Sequence, residues 1–229
     1  MDAMQMLGDN EKQARAEHAH TGSWVAGILR SRIAEGQLTP GTRLSEQALA
    51  NALGVSRNTL REAFTTLAGE SIVTRIPNRG VFVASPDADE VREIYNVRRA
   101  IEPGAVLWGT LTDNALAHMQ RIVDGALAAR DRGDIPAMAD ANQDLHKAII
   151  ALTGSHTLEQ LMARVLAEMR LVFHAMAAMP DFHSRYVERN IALVALLRDN
   201  RRLEAAHDLR DYLDLAESEL LAHIAADAH

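Results

Sequence analysis

The sequence predicts a mostly α-helical chain in two parts: an amino-terminal winged helix-turn-helix, then an antiparallel all-α bundle of six to seven helices. Three observations predict it. Residues 44–83 hold two short amphipathic segments around a tight turn, then two β-rich segments around a second turn. Beyond Val83 no β-rich run appears, and apolar residues recur at helical spacing. Aromatics make up only 4% of the 229 residues, while Ala, Leu and Met are abundant, which favours helix over sheet. The predicted division is a flexible arm over residues 1–20, a winged unit over 21–85 and a helical unit over 86–229.

In the winged unit, Trp24, Ile28, Leu29 and Ile33 fall at helical spacing, with Ser23 as the expected N-cap. That helix ends near Gly36, and Pro40-Gly41 marks a turn. Ser45 is the expected cap of the next helix, where Glu46 complements the helix N-terminus and Leu49 and Leu53 form the apolar face. Gly54 supplies the left-handed residue that stops it. Ser56 then caps a third helix whose buried stripe is Leu60, Phe64 and Leu67. Ile72 to Ile76 and Val81 to Val83 read as strands, joined through Pro77, Asn78, Arg79 and Gly80.

The outward face of the third helix begins with Arg57, Asn58, Thr59 and Arg61. A helix that reads DNA does so mainly from its N-terminal end. Arginine there can pair with guanine or a phosphate, asparagine with adenine, and threonine with a thymine methyl. A wing tip of Asn78, Arg79 and Gly80 suits a minor groove or a phosphate run. From Thr21 to Ser85 seven arginines face four glutamates, a local charge of +3 in a chain of net charge −7. A modest basic module on an acidic body suits site-specific binding rather than indiscriminate coating of nucleic acid.

In the helical unit, Ser85-Pro86 reads as a linker, and Asp87 with Glu90 as a capping box. Helices are predicted at about 87–109, 112–131, 135–152, 156–178, 182–199 and 201–226, with short connections and breaks that include Met179-Pro180. Met162, Met169 and Met176, with Leu158, Leu161, Val165 and Phe173, read as core. Arg198, Arg201 and Arg202 read as a solvated corner. Asn142 and His146 share one helix face with spacing i, i+4, close to Leu145, Ile149 and Leu152. A lone histidine there is more often a hydrogen-bonded structural residue than a ligand. No nucleophile–base pair and no glycine-rich phosphate loop is present.

From about Ile28 to Val83 the chain resembles the GntR family of bacterial transcription factors, through RSRIAEGQLTPGTRLSEQALANALGVSRNTLREA, LAGESIV and NRGVFVA. The resemblance implies Arg57 and Arg61 as principal DNA contacts, with Arg43, Ser45, Glu46, Ser56 and the wing in support. Many members have Thr-Pro where this chain has Asn58-Thr59, and some have arginine at the site of Gln47. VREIYNVRRAIEP, NQDLHKAI and ALTGSH resemble the FCD effector domain of the FadR subfamily. That implies an all-α bundle, a dimer, and a central pocket for a small organic acid or related metabolite. Many such domains hold a divalent metal through Asp or Asn, a His four residues later, and two further histidines. Asn142 and His146 match the first pair, but Arg189 and Tyr212 stand at the other two positions. A shift by one residue brings Asn190, which is no histidine either. Arginine stays protonated and binds no cation, so the expectation is a pocket without metal or cofactor. In it Arg189 pairs with a ligand carboxylate, Arg98 is a second cationic anchor, and Asn142, His146 and Tyr212 complete the shell.

With no cysteine, no run of about 20 apolar residues and no signal-peptide pattern at the start, the expectation is a cytoplasmic chain without a membrane segment. The reading is a dimeric, DNA-binding transcriptional regulator, most simply a repressor of a pseudo-palindromic operator, answering to a small carboxylate. Two alternatives stand beside it. One is a helical metabolic enzyme or metabolite-binding module with a vestigial DNA-binding head. The other is a metal-dependent form of the same regulator that uses His174 or His207.

Overall fold

A computed structural model describes residues 22–34, 36–175 and 180–227. The chain divides into two compact units, residues 1–85 and 86–229. The expected arm over residues 1–20, Met176 and Met179 of the expected break at Met179-Pro180 lie outside the described residues, as does the side chain of His174, and Pro180 is the first residue of the helix that follows.

The first unit runs α1 (Gly22–Ala34), β1 (Arg43–Leu44), α2 (Glu46–Leu53), α3 (Arg57–Gly69), β2 (Val73–Ile76) and β3 (Gly80–Val83). The sheet is antiparallel in the order β1-β3-β2. Strand β1 was not legible from pattern. It has two residues and is fixed by pairing of Leu44 with Val81, beside a bond from the Val83 N–H to the Thr42 carbonyl (2.9 Å). Helix α1 begins one residue before the expected cap, so Ser23 lies inside the helix. Its buried face is Val25, Ala26, Leu29 and Ile33, whereas Trp24 and Ile28 are half-buried. That face packs on α3, so closely that a side chain at Gly22 would meet Glu62 Cβ at 2.8 Å.

Helices α2 and α3 form as expected. Ser45 accepts from the Ala48 N–H and Ser56 from the Thr59 N–H. Gly54 takes the left-handed conformation at φ 65°, which lets the chain turn between them. Leu49, Leu53, Leu60, Phe64 and Leu67 are all buried, as are Val73, Val81 and Val83 of the hairpin, and α3 packs on both α2 and β2.

The second unit is a bundle of six described helices: α4 (Ala88–Trp108), α5 (Asp113–Asp131), α6 (Ile135–Ala151), α7 (His156–Ala175), α8 (Pro180–Arg198) and α9 (Arg202–Asp227). Asp87 and Glu90 form the reciprocal capping box at the start of α4. Helix α9 runs along α4. Arg202 ties the ends of these two helices by donating to the Gly109 carbonyl (2.6 Å), so this arginine of the expected solvated corner is engaged. Met162, Val165, Met169 and Phe173 are core as expected, but Leu161 is 40% exposed. No described helix is long and apolar enough to cross a membrane.

Phe64 is fully buried at the centre of the winged unit. Phe64→Ala is expected to destabilise that unit by about 3–5 kcal/mol, read from denaturant unfolding of the full chain. A loss below about 1 kcal/mol would mean the core does not depend on it.

Candidate functional site

Two groups of polar residues stand out, one in each unit. In the first, α3 presents Arg57, Asn58 and Arg61 on its exposed face, opposite Leu60, Phe64 and Leu67. Thr59 is half-buried, and its hydroxyl lies 2.9 Å from that of Ser56. Arg61 Nε donates to Glu46 Oε2 at 3.0 Å, so α2 holds the arginine that α3 displays. Asn58 donates its amide to Glu62 Oε1 at 2.9 Å, one helical turn on. These pairs are exposed and each contributes at most about 1 kcal/mol, so they exchange readily for another partner.

The hairpin supplies a second cationic edge. Asn78 and Gly80 adopt positive φ (60° and 114°), which turns the tip between β2 and β3. The Arg79 guanidinium lies 5.9 Å from the centre of the Phe82 ring. Arg43, on β1, is exposed and lies near Gly80. Thus Arg43, Arg79 and Gly80 share the hairpin edge, while Ser56, Arg57, Asn58, Thr59 and Arg61 lie on the first half of α3 and Glu46, at the start of α2 beside its cap Ser45, reaches Arg61. Arg75 was missed as a site residue: a lone arginine in a β-rich run shows no partner in sequence. Its Nη2 donates to the Arg61 carbonyl (3.1 Å) and to Thr65 Oγ1 (2.9 Å).

The second group is buried where α4, α6, α8 and α9 meet. Arg98 and Glu102, one turn apart on α4, are 1% and 0% exposed, with Arg98 Nε on Glu102 Oε1 at 2.7 Å. Glu102 Oε2 lies 2.6 Å from His146 Nδ1. His146 Nε2 lies 3.3 Å from the Tyr212 hydroxyl, which donates to Asn142 Oδ1 at 2.7 Å. Asn190 Nδ2 also donates to Asn142 Oδ1, at 2.8 Å. Arg98 further stacks on Tyr95, its guanidinium 5.0 Å from the ring centre. Glu102, Asn190 and Tyr95 are thus members that sequence reasoning passed over.

Of the expected shell, the structure brings together Arg98, Asn142, His146 and Tyr212. Arg189 is not among them. It is half-buried and makes no bond to the cluster, and its neighbour Asn190 fills the place facing Asn142. One residue along a helix is a rotation of about 100°, enough to exchange an inward position for an outward one. His207, the described alternative ligand, is exposed beside Asp211.

Burial by itself would raise the Glu102 carboxyl. The adjacent Arg98 guanidinium and His146 outweigh it and bring the group to about 2 from an ordinary 4.5. Burial holds His146 below its ordinary value, against the pull of Glu102. Burial drives the Tyr95 and Tyr212 hydroxyls upward, so both stay neutral. Arg98 stays charged: the Glu102 carboxylate outweighs the cost of burying it. A divalent cation does not fit this donor set. There is one histidine, its Nδ1 is engaged by Glu102, and Asn142 Oδ1 already accepts two bonds. Among the described residues no group of three His, Cys, Asp or Glu side chains is placed to hold a metal. A separate surface cleft of about 840 Å³, bordered by Thr110, Ile122, Ala148, Leu152 and Met162, shares no residue with this cluster.

Residues 21–83 match the model of the bacterial regulatory proteins of the gntR family, and residues 93–215 match the FCD domain. The chain belongs to the GntR family. A GntR regulator of known structure from Rhodococcus sp. RHA1 is 36% identical, with 88% of this chain and 97% of that one covered at a TM-score of 0.83. The Nta operon transcriptional regulator of Aminobacter aminovorans is 28% identical over 173 residues, covering 73% of this chain and 79% of its own. The gluconate operon transcriptional repressor of Bacillus licheniformis is 44% identical over 84 residues, 37% of this chain and 34% of that protein. The FCD match is the architecture of the FadR subfamily. Like its relatives, this GntR protein is a transcription regulator and not an enzyme, which removes the alternative of a helical enzyme with a vestigial head.

Removing Glu102 leaves a buried guanidinium without its counter-charge. Glu102→Gln in this GntR protein is expected to cost about 3–5 kcal/mol in thermal or denaturant unfolding. Glu102 is depressed in the folded state, so its contribution is complete above about pH 4.5 and is lost as pH falls through about 2. His146 acts in the same direction but from higher pH, since it is held below its ordinary 6.5 and its contribution begins to be lost as pH falls below that value. An acid unfolding profile of the wild type should therefore be steep in that window and shallower in Glu102→Gln; identical acid limbs would contradict this pairing.

Proposed function

We propose that this regulator is a cytoplasmic homodimeric repressor whose operator affinity is set by a small metabolite bound among α4, α6, α8 and α9. The observation that carries the effector reading is a set of unsatisfied polar atoms in the buried cluster. By distance and angle Arg98 Nη2, the Tyr95 hydroxyl and Asn190 Oδ1 are buried without a hydrogen-bond partner among the described residues, although Arg98 lies close enough to Tyr95 to act on its hydroxyl. Leaving such groups unmade costs about 1–3 kcal/mol each, more for a charged one, so a bound molecule that satisfies them gains that energy. An organic acid suits the set: a carboxylate accepts from Arg98 Nη2 and Tyr95, and a hydroxyl donates to Asn190 Oδ1. Arg98 thus takes the anchoring role first expected of Arg189.

On DNA, each protomer places α3 in the major groove of one half-site, with Arg57 and Arg61 as principal contacts. Asn58, Thr59, Ser45, Glu46, Ser56 and the edge of Arg43, Asn78, Arg79 and Gly80 support them. The repressor sense follows the gluconate operon repressor that resembles residues of this chain. Effector and operator affinities are reciprocally coupled, so a ligand that weakens operator binding is itself bound less well by the DNA complex.

Two measurements test this. In a gel shift on the DNA upstream of its own gene, Arg57→Ala and Arg61→Ala should each weaken binding by about 1–3 kcal/mol, and wild-type binding should fall steeply with salt. No shift by the wild type at low salt overturns the DNA assignment. In a titration of that complex with a panel of small carboxylates that includes gluconate, Tyr95→Phe and Asn190→Ala, which remove the unsatisfied atoms, should lose the response while keeping operator affinity. A full response in both variants would move the effector site elsewhere.

A further inference from the structure

Arg75 stands at the seam between the recognition helix and the wing. Its register partner on β3 is Val81, and Val73 pairs with Val83, so these four side chains share one face of the hairpin. Three of them are buried valines, whereas Arg75 is exposed. It is the residue of β2 on that face closest to the turn, and it reaches past the end of the core to α3. There Nη2 donates to the Arg61 carbonyl at 3.1 Å and to Thr65 Oγ1 at 2.9 Å, while Thr65 Oγ1 donates to the same carbonyl at 2.8 Å. One nitrogen of the guanidinium is thereby fixed to the exposed turn of α3 that also carries Arg61. Arg75 Nε and Nη1 make no hydrogen bond among the described residues.

We infer that Arg75 is a further DNA-contacting residue, which grips a phosphate of the backbone strand running between the major groove read by α3 and the minor groove met by the wing. The geometry requires little else. A helix in one groove and a hairpin tip at the next straddle a single sugar–phosphate strand, and a residue on their seam faces that strand. A guanidinium held by one nitrogen keeps its other donors in a fixed fork, the arrangement that matches phosphate oxygens. The contact carries no base information and acts equally on every sequence.

The test is the salt dependence of binding to two duplexes, the DNA upstream of the gene and a random sequence, with Arg75→Gln, Arg75→Lys, Thr65→Val and the wild type. Glutamine keeps an amide that can donate to α3 but removes the charge. Losing one phosphate contact should lower the slope of log Kobs against log[salt] by about 0.9 in Arg75→Gln and weaken binding by a similar factor, about tenfold, on both duplexes. Arg75→Lys should retain the wild-type slope. Thr65→Val, which removes an anchor but no charge, should also retain it. A wild-type slope in Arg75→Gln overturns the inference and leaves Arg75 a structural staple, as does a loss confined to one duplex. A wild type that binds neither duplex at low salt removes the DNA-binding reading, and this inference with it.

Discussion

A carboxylate with no access to water governs the carboxy-terminal unit. Burying Glu102 costs several kcal/mol, and the cost is offset only if charge and hydrogen bonds meet it. Arg98 supplies the charge from the same helix and His146 supplies a second bond from α6. From there a sequence of contacts runs through Tyr212 and Asn142 to Asn190, so that α4, α6, α9 and α8 are joined by polar contacts within a mainly apolar bundle. Aromatic packing continues it, with Tyr186 edge-on to Tyr212 at 4.9 Å. In such low-dielectric surroundings each bond polarises the next, and a molecule that inserts at one point changes the balance along the whole series. The effector reading proposed above rests on such an arrangement: few groups, strongly coupled, on four of the described helices.

The winged unit uses charge in the opposite manner. The ion pairs of Arg61 with Glu46 and of Arg30 with Glu70 are partly exposed and individually weak. Its rigidity comes instead from Phe64, Leu60 and the valines of the hairpin. A reading head needs that arrangement. The scaffold must be stiff so that α3 and the hairpin tip keep their spacing, while the side chains that meet DNA must exchange partners at little cost.

Much of this was legible in the sequence, because helix caps and apolar periods are local signals. Ser45, Ser56 and Asp87 cap the helices they were expected to cap, and Gly54 stops α2. What escaped was set by distant partners. Strand β1 exists only because β3 lies beside it. Arg75 is one more surface arginine until α3 is folded against it. Glu102 sits in a helix with charged neighbours, and nothing in its local pattern distinguishes a buried glutamate from a solvated one. The exchange of Arg189 for Asn190 shows the same limit at finer scale: the choice between adjacent positions depends on how α8 is rotated, and a neutral amide suits a buried place that a second arginine would leave overcharged.

The bond between Arg61 and Glu46 has a consequence for how a regulator searches a genome. With Arg61 as the DNA contact proposed above, binding obliges it to give up the Glu46 carboxylate before it gains a phosphate or a base. On an arbitrary sequence that is nearly an even trade of one anion for another, so residence there is short. Only where a guanine edge offers two acceptors in the right plane does the trade become favourable. If Arg61 reads the operator as proposed, the acid beside it shortens each false stop, and time spent on wrong sites bears on how quickly a rare operator is found among many competitors.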